Sequence, residues 1–182
     1  MNLTITISGL HGTGKTTYAK ILSKTFALRH LSAGQLFRQI AKEKQISVIE
    51  LGQIAFSNHK IDHLIDERTK KEAQIGNVII DGLLAGWMAR NFAELKLLLV
   101  APERIRIERI AKRDKISFEE AKEATLFREK MERERFSKIY NINIDDKSIY
   151  DMVLNTSLLS FKSNSKLIKQ FIWEFIKLNE GK

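Results

Sequence analysis

The chain has 182 residues, the length of one compact α/β domain, with 43% hydrophobic residues spread along it and 29% charged residues of mixed sign. It has no cysteine, which excludes disulfides and thiolate chemistry, and no apolar run long enough for a signal peptide core or a membrane span, so a soluble cytoplasmic protein is expected. The formal charge of +9 suits an anionic ligand, either a nucleotide or nucleic acid, although a dispersed Lys-rich surface serves solubility as well.

The β-branched alternation of Leu3 to Ser8 predicts a strand. It runs into Gly9-Leu10-His11-Gly12-Thr13-Gly14-Lys15-Thr16, which fits G-x-x-x-x-G-K-[ST], and then into helical spacing over Thr17 to Phe26. Strand, glycine-rich loop and helix in that order form a phosphate-binding loop (P-loop). Glycines let the backbone turn its N–H groups around a β-phosphate, and the new helix adds a favourable partial charge at its N-terminus. Gly9 through Thr17 are therefore the candidate ATP-binding residues. Within them Lys15 reaches the β- and γ-oxygens, and the Thr16 hydroxyl is a ligand for Mg²⁺.

A short strand at Arg29 to Leu31 leads to Ser32 and a helix over Gln35 to Glu43. Ser32 and Arg38 are placed to hold an acceptor, with a helix cap and a solvated arginine as their ordinary alternatives. Ser47-Val48-Ile49-Glu50 is a capping box, and Ile61 to Ala73 has helical spacing, so three helical pieces separate the second and third strands. His59 and His63 lie four apart in a charged stretch without a third ligand and read as surface residues. Asn77 to Gly82 predicts a buried parallel strand ending in Asp81, an acid placed to hold the water shell of Mg²⁺; the plain alternative is a turn before Gly82.

Leu95 to Val100 is the next strand, and Pro102 opens a helix through about Arg113. From Arg104 to Lys138 both charges are dense. Arg109, Arg113, Arg128, Arg133 and Arg135 stand among glutamates, a pattern of solvated helix faces, yet transfer between two anions needs some of these cations over the moving group. A last strand at Met152 to Leu154 and an amphipathic helix carrying Leu167, Ile168, Phe171, Ile172, Phe175 and Ile176 complete a predicted five-stranded parallel sheet wrapped by helices, with Trp173 off the apolar face.

Together these motifs resemble the nucleoside monophosphate kinases, most closely the archaeal-type cytidylate kinases, over almost the whole chain. The anchors beside the P-loop are Ser32-Ala33-Gly34 with Phe37-Arg38, Asp81-Gly82 with Leu84-Ala85-Gly86-Trp87-Met88, and Glu108-Arg109-Ile110-Ala111-Lys112-Arg113. Further on they are Arg128-Glu129, Arg135-Phe136, Ile139-Tyr140, Ile144-Asp145-Asp146, Ile149-Tyr150-Asp151 and Asn155-Thr156-Ser157.

The resemblance implies a single three-layer P-loop kinase domain over 1–182. Its core would be 1–33 and 77–182, with a helical acceptor-binding flap at about 34–73 and a short lid at about 109–117. It implies phosphoryl transfer from ATP, with Mg²⁺, to CMP or dCMP in a cytoplasmic monomer. Lys15, Arg109, Arg113 and Arg128 would be catalytic, and Ser32, Arg38, Arg128, Glu132 and Arg135 would bind the acceptor.

Glu132 sits where related enzymes carry an acid facing the base. A carboxylate accepts from the cytosine amino group but meets the uracil carbonyl as a second acceptor, a mismatch of ~1–3 kcal/mol; a helical salt bridge to Arg128 or Arg135 is the alternative. One departure stands out: the family usually has arginine after the Asp-Gly pair, and this chain has Leu83, for which Arg90 is a candidate substitute. The competing functions are a small-molecule kinase acting on AMP, UMP or a non-nucleotide, and an ATP-switched nucleic-acid-binding NTPase; the latter lacks an aromatic stacking set or a basic stripe.

Overall fold

The computed structural model describes residues 3–179; the two residues before and the three after, which belong to the expected single domain, lie outside the described residues. Five strands form one parallel sheet: β1 (Thr4–Ser8), β2 (Arg29–Ser32), β3 (Val78–Asp81), β4 (Leu95–Val100) and β5 (Met152–Asn155). Their spatial order is β2-β3-β1-β4-β5, with Ile5 paired to Ile79 on one side and to Leu95 on the other. The central strand is buried on both faces, so the threonines that alternate with its aliphatic residues are interior as well. Thr4 and Thr6 satisfy their hydroxyls on the carbonyls of Ala73 and Leu95, and Ser8 accepts from the Gly86 N–H.

The helices are α1 (Lys15–Phe26), α2 (Ala33–Glu43), α3 (Val48–Ser57), α4 (Lys60–Ile75), α5 (Ala85–Met88), α6 (Glu103–Asp114), α7 (Phe118–Tyr140) and α8 (Phe161–Asn179). The helix α1 begins two residues earlier than periodicity indicates, because the loop itself turns into its first turn. The four-residue α5 carries no amphipathic period and escapes sequence reading. The expected capping box at Ser47 and Glu50 is present, and a second one, Ser117 with Glu120, opens α7.

On one side of the sheet, Ile5, Ile7, Leu22, Ile79, Leu97 and Leu99 pack against Ile168 and Ile172 of α8. Leu167 of that helix is exposed, whereas Trp173, off the main stripe, rests against Phe26 at 5.3 Å between ring centroids. The helices α2, α3 and α4 close over their own apolar cluster of Phe37, Ala41, Leu51 and Ile65. The helix α2 starts directly from the carboxyl end of β2, the edge where ligands bind in open α/β sheets, while Ala73 near the end of α4 packs beside Val78 and Ile80 of β3.

Candidate active site

The loop after β1 needs its glycines for two distinct reasons. Gly9, Gly12 and Gly14 have φ of +146°, +79° and +92°, and a Cβ on Gly9 or Gly12 would stand 2.2 Å from the Leu99 carbonyl oxygen or 2.4 Å from that of Arg106. The loop is thus pressed between β4 and α6. Arg106 fixes it from behind: buried in α6, it donates to the His11 carbonyl at 2.9 Å and forms a two-pronged ion pair with Glu129 of α7 at 2.5 and 3.2 Å. Arg109, one turn nearer the cleft, donates to the Gly12 carbonyl at 3.3 Å and to the hydroxyl and carbonyl of Thr156 at 2.9 Å each. The Thr156 hydroxyl donates to the Thr13 carbonyl at 3.1 Å, so the end of β5 ties into the same knot.

Lys15 donates to the Leu10 carbonyl at 2.9 Å. Burial pushes its ammonium down to about 8, against the opposing pull of Asp81 and Glu132. The Thr16 hydroxyl donates to Asp81 Oδ1 at 2.8 Å; Ser32 donates to the same oxygen at 3.0 Å, and His30 Nε2 lies 2.9 Å from Oδ2. Three side chains from two elements, Thr16 of α1 with His30 and Ser32 of β2, therefore hold one carboxylate beside the P-loop threonine. A hydroxyl and a carboxylate oxygen at this spacing suit a hard cation such as Mg²⁺, which takes the rest of its shell from phosphates and water. Among the described residues no group of three or more His, Cys, Asp or Glu is arranged to hold a metal by itself, so phosphate oxygens would have to complete the set.

A cleft of about 610 Å³ opens beside this arrangement and runs under the flap. Of the residues singled out in the sequence, His11, Gly12, Gly14, Lys15, Thr16, Thr17, Arg38, Asp81, Arg109, Arg113, Arg128, Glu132 and Arg135 line it. Gly9, Leu10 and Thr13 form the back of the loop instead, and Ser32 is buried behind Asp81 while also capping α2 through the Gln35 N–H.

Arg38 has its basicity lowered by burial and then by Arg113 and Arg128, a convergence of cations of the kind an anion relieves. Arg113 is engaged by its neighbour Asp114 at 2.7 Å on an exposed stretch, and Arg133 pairs with Asp145 on the outer surface. Leu83 lines the cleft as expected, but Arg90 is exposed at the far end of α5 and is not among the residues lining it, so it does not replace the missing arginine.

Glu132 is buried in α7. Its Oε1 accepts from Arg128 Nε at 2.8 Å, and its Oε2 lies 2.7 Å from His11 Nε2. Burial alone would raise its pKa, but His11, Arg128 and Arg135 outweigh that and hold it well below the usual carboxylate range. Burial lowers the imidazole of His11 against the opposing pull of Glu132, and facing an ionised carboxylate its Nε2 carries a proton and donates. The salt bridge expected as an alternative for Glu132 is thus formed.

Sequence reasoning missed Asp62 and Asp66 of α4, His30, Arg106 and Thr156. Asp62 is buried 3.2 Å from Arg135 Nε, Arg135 also donates to the Gly52 carbonyl at 3.2 Å, and Tyr140 donates to Asp66. His59 is half-buried, with its Nδ1 enclosed, rather than a plain surface residue, while His63 is exposed with its ring edge-on to Tyr140.

Sheet order, P-loop and flap-covered cleft together define a P-loop kinase of the α/β class. A shikimate kinase structure from Bacteroides thetaiotaomicron has the same fold, with a TM-score of 0.61 at 16% identity over 96% of this chain and 98% of that one. The profile of the cytidylate kinase-like family matches residues 4–158, and the chain belongs to that family. It is 45% identical to a cytidylate kinase of Staphylothermus marinus over 95% of this chain and 98% of that protein. It is likewise 45% identical to a cytidylate kinase of Pyrococcus horikoshii over 93% of this chain and 88% of the other.

Proposed function

We propose that this protein is an ATP-dependent cytidylate kinase that transfers the γ-phosphoryl group of ATP to CMP, and to dCMP, giving the diphosphate and ADP. The observation that carries this reading is one cleft lined both by the P-loop lysine with the Thr16–Asp81 pair and by Arg38, Arg128 and Arg135, in a member of the cytidylate kinase-like family. A cleft with this many cationic groups suits two phosphorylated ligands.

In the proposed mechanism, residues 9–17 cradle the phosphates of ATP, and Lys15 leaves the Leu10 carbonyl to reach the β- and γ-oxygens. Thr16 and, through water, Asp81 would hold Mg²⁺, which would supply charge neutralisation for the phosphates. Arg109 and Arg113 serve the ATP side, and Arg38, Arg128 and Arg135 receive the acceptor phosphate. An acceptor phosphate oxygen attacks the γ-phosphorus in line; it is already ionised near neutral pH, so no general base and no covalent enzyme intermediate are needed. The flap of about 34–73 and a lid of about 109–117 close over the pair and exclude water, which would otherwise compete for the phosphoryl group.

The rival reading of a nucleic-acid-binding NTPase is disfavoured because Arg128 and Arg135 turn into the cleft rather than forming an outer stripe. No helix among the described residues is long and apolar enough to cross a membrane.

The test is ADP formation with Mg·ATP and CMP, dCMP, UMP, AMP or GMP, with the product nucleotide confirmed directly. The highest kcat/KM is expected with CMP. A panel in which no monophosphate is phosphorylated refutes the acceptor assignment.

A further inference from the structure

Three carboxylates besides Asp81 line the cleft, and their hydrogen-bonding states differ. Glu132 has both oxygens engaged, by Arg128 and His11, and Asp66 accepts from Tyr140. Asp62 is different. It is 5% exposed, and its Oδ2 has no hydrogen-bond partner. Arg135 Nε stands 3.2 Å away, out of line for a hydrogen bond, and is itself without one. A buried acceptor left unpaired costs ~1–3 kcal/mol, more when charged, so a group of this kind marks a place where a partner is missing.

The surroundings of Asp62 suit a flat, partly apolar ligand. Phe37, Ile65 and Phe136 line the same cleft. Arg135 offsets the charge of Asp62, while Asp66, His59 and Glu132 are the other ionisable groups that act on it. All four stay in place if a donor approaches Oδ2 from the cleft.

We infer that Asp62, rather than Glu132, is the carboxylate that reads the pyrimidine base, accepting a hydrogen bond from the exocyclic amino group of cytosine. This rests on the cytidylate kinase reading above. Uracil places a carbonyl oxygen where cytosine has its amino group and would set two acceptors face to face beside Asp62. Glu132 is then a positioning residue that orients Arg128 and joins α7 to the P-loop.

The test compares the wild-type protein with Asp62→Leu, Asp62→Ala and Glu132→Gln on CMP, UMP and the 2-pyrimidinone ribonucleoside monophosphate, which lacks the amino group. Wild-type kcat/KM is expected to favour CMP over the amino-less nucleotide by about tenfold or more, the size of one hydrogen bond to a charged acceptor. Either Asp62 variant should bring that ratio to within about threefold with KM for ATP unchanged. Leu replaces the carboxylate with an apolar group that has no acceptor, and Ala tests the same loss with a smaller group, so misfolding of one leaves the other as the measurement. Glu132→Gln should retain the CMP ratio while raising KM for ATP. A CMP-preferring wild type whose ratio survives in the Asp62 variants, or collapses only in Glu132→Gln, overturns the assignment alone. A wild type that phosphorylates CMP without preferring it to the amino-less nucleotide likewise overturns the assignment alone, whereas one that phosphorylates no monophosphate overturns the kinase reading together with it.

Discussion

His11 in the P-loop donates to the carboxylate of Glu132 in α7 at 2.7 Å, and the other oxygen of that carboxylate accepts from Arg128 at 2.8 Å. The ATP loop and an arginine of the acceptor wall are thus two bonds apart through a single side chain. Cutting the chain at His11 should affect both substrates. His11→Ala is expected to lower kcat/KM by about tenfold for ATP and for CMP, the size of one hydrogen bond to a charged group. Steady-state kinetics varying each substrate in turn will check it, and a loss confined to ATP would show that Arg128 holds its place unaided.

Lys15 gives the pH dependence. Its ammonium is pushed down to about 8 by burial, so in the free enzyme it loses its proton as pH rises through that value, and kcat/KM for ATP should fall there. Bound phosphates favour the protonated form, so kcat should hold to higher pH. Lys15→Arg should remove the falling limb, and Lys15→Ala should lower turnover by roughly 10²-fold or more. A wild-type kcat/KM that stays flat from pH 7 to 9.5 would contradict this account.

Arg106 and Glu129 form a fully buried pair behind the P-loop. Glu129→Ala leaves a buried cation unpaired and is expected to destabilise the fold by about 3–5 kcal/mol in denaturant titrations. Replacing both partners with apolar residues, as in Arg106→Met with Glu129→Leu, should recover most of that stability. It should not recover ATP affinity, because the His11 carbonyl loses its donor.

Leu83 lines the cleft at the position where the family resemblance implies an arginine. Leu83→Arg is expected to lower KM for CMP severalfold and leave KM for ATP unchanged. An unchanged or raised KM for CMP would mean that Arg38, Arg128 and Arg135 already meet the acceptor phosphate fully.

Much of this architecture was legible because it is local. The P-loop needs eight consecutive residues, and the strands beside β1 are marked by runs of β-branched residues and leucine such as Val78 to Ile80 and Leu97 to Val100. What escaped depends on partners distant in the chain. Arg106 and Glu129 sit in a stretch whose charge pattern is that of solvated helices, yet Thr125, Glu129, Glu132 and Phe136 recur every three or four residues on one buried face of α7. That polar stripe was the available signal. Asp62 offered none: an acid in the first turn of a helix is ordinary, and only the approach of Arg135, seventy-three positions on, makes it an interior group.

The flap helices bury Phe37, Ala41, Leu51 and Ile65 among themselves, apart from the aliphatic layers that hold the sheet together. Such a unit is exchangeable. Its ties to α7 include Arg135 with Asp62 and the Gly52 carbonyl and Tyr140 with Asp66, so acceptor-facing residues can be rewritten in concert with α7 while residues 9–17 are left alone. The same frame can therefore serve chemically unrelated acceptors, with selection acting on the cover while the phosphate cradle stays fixed.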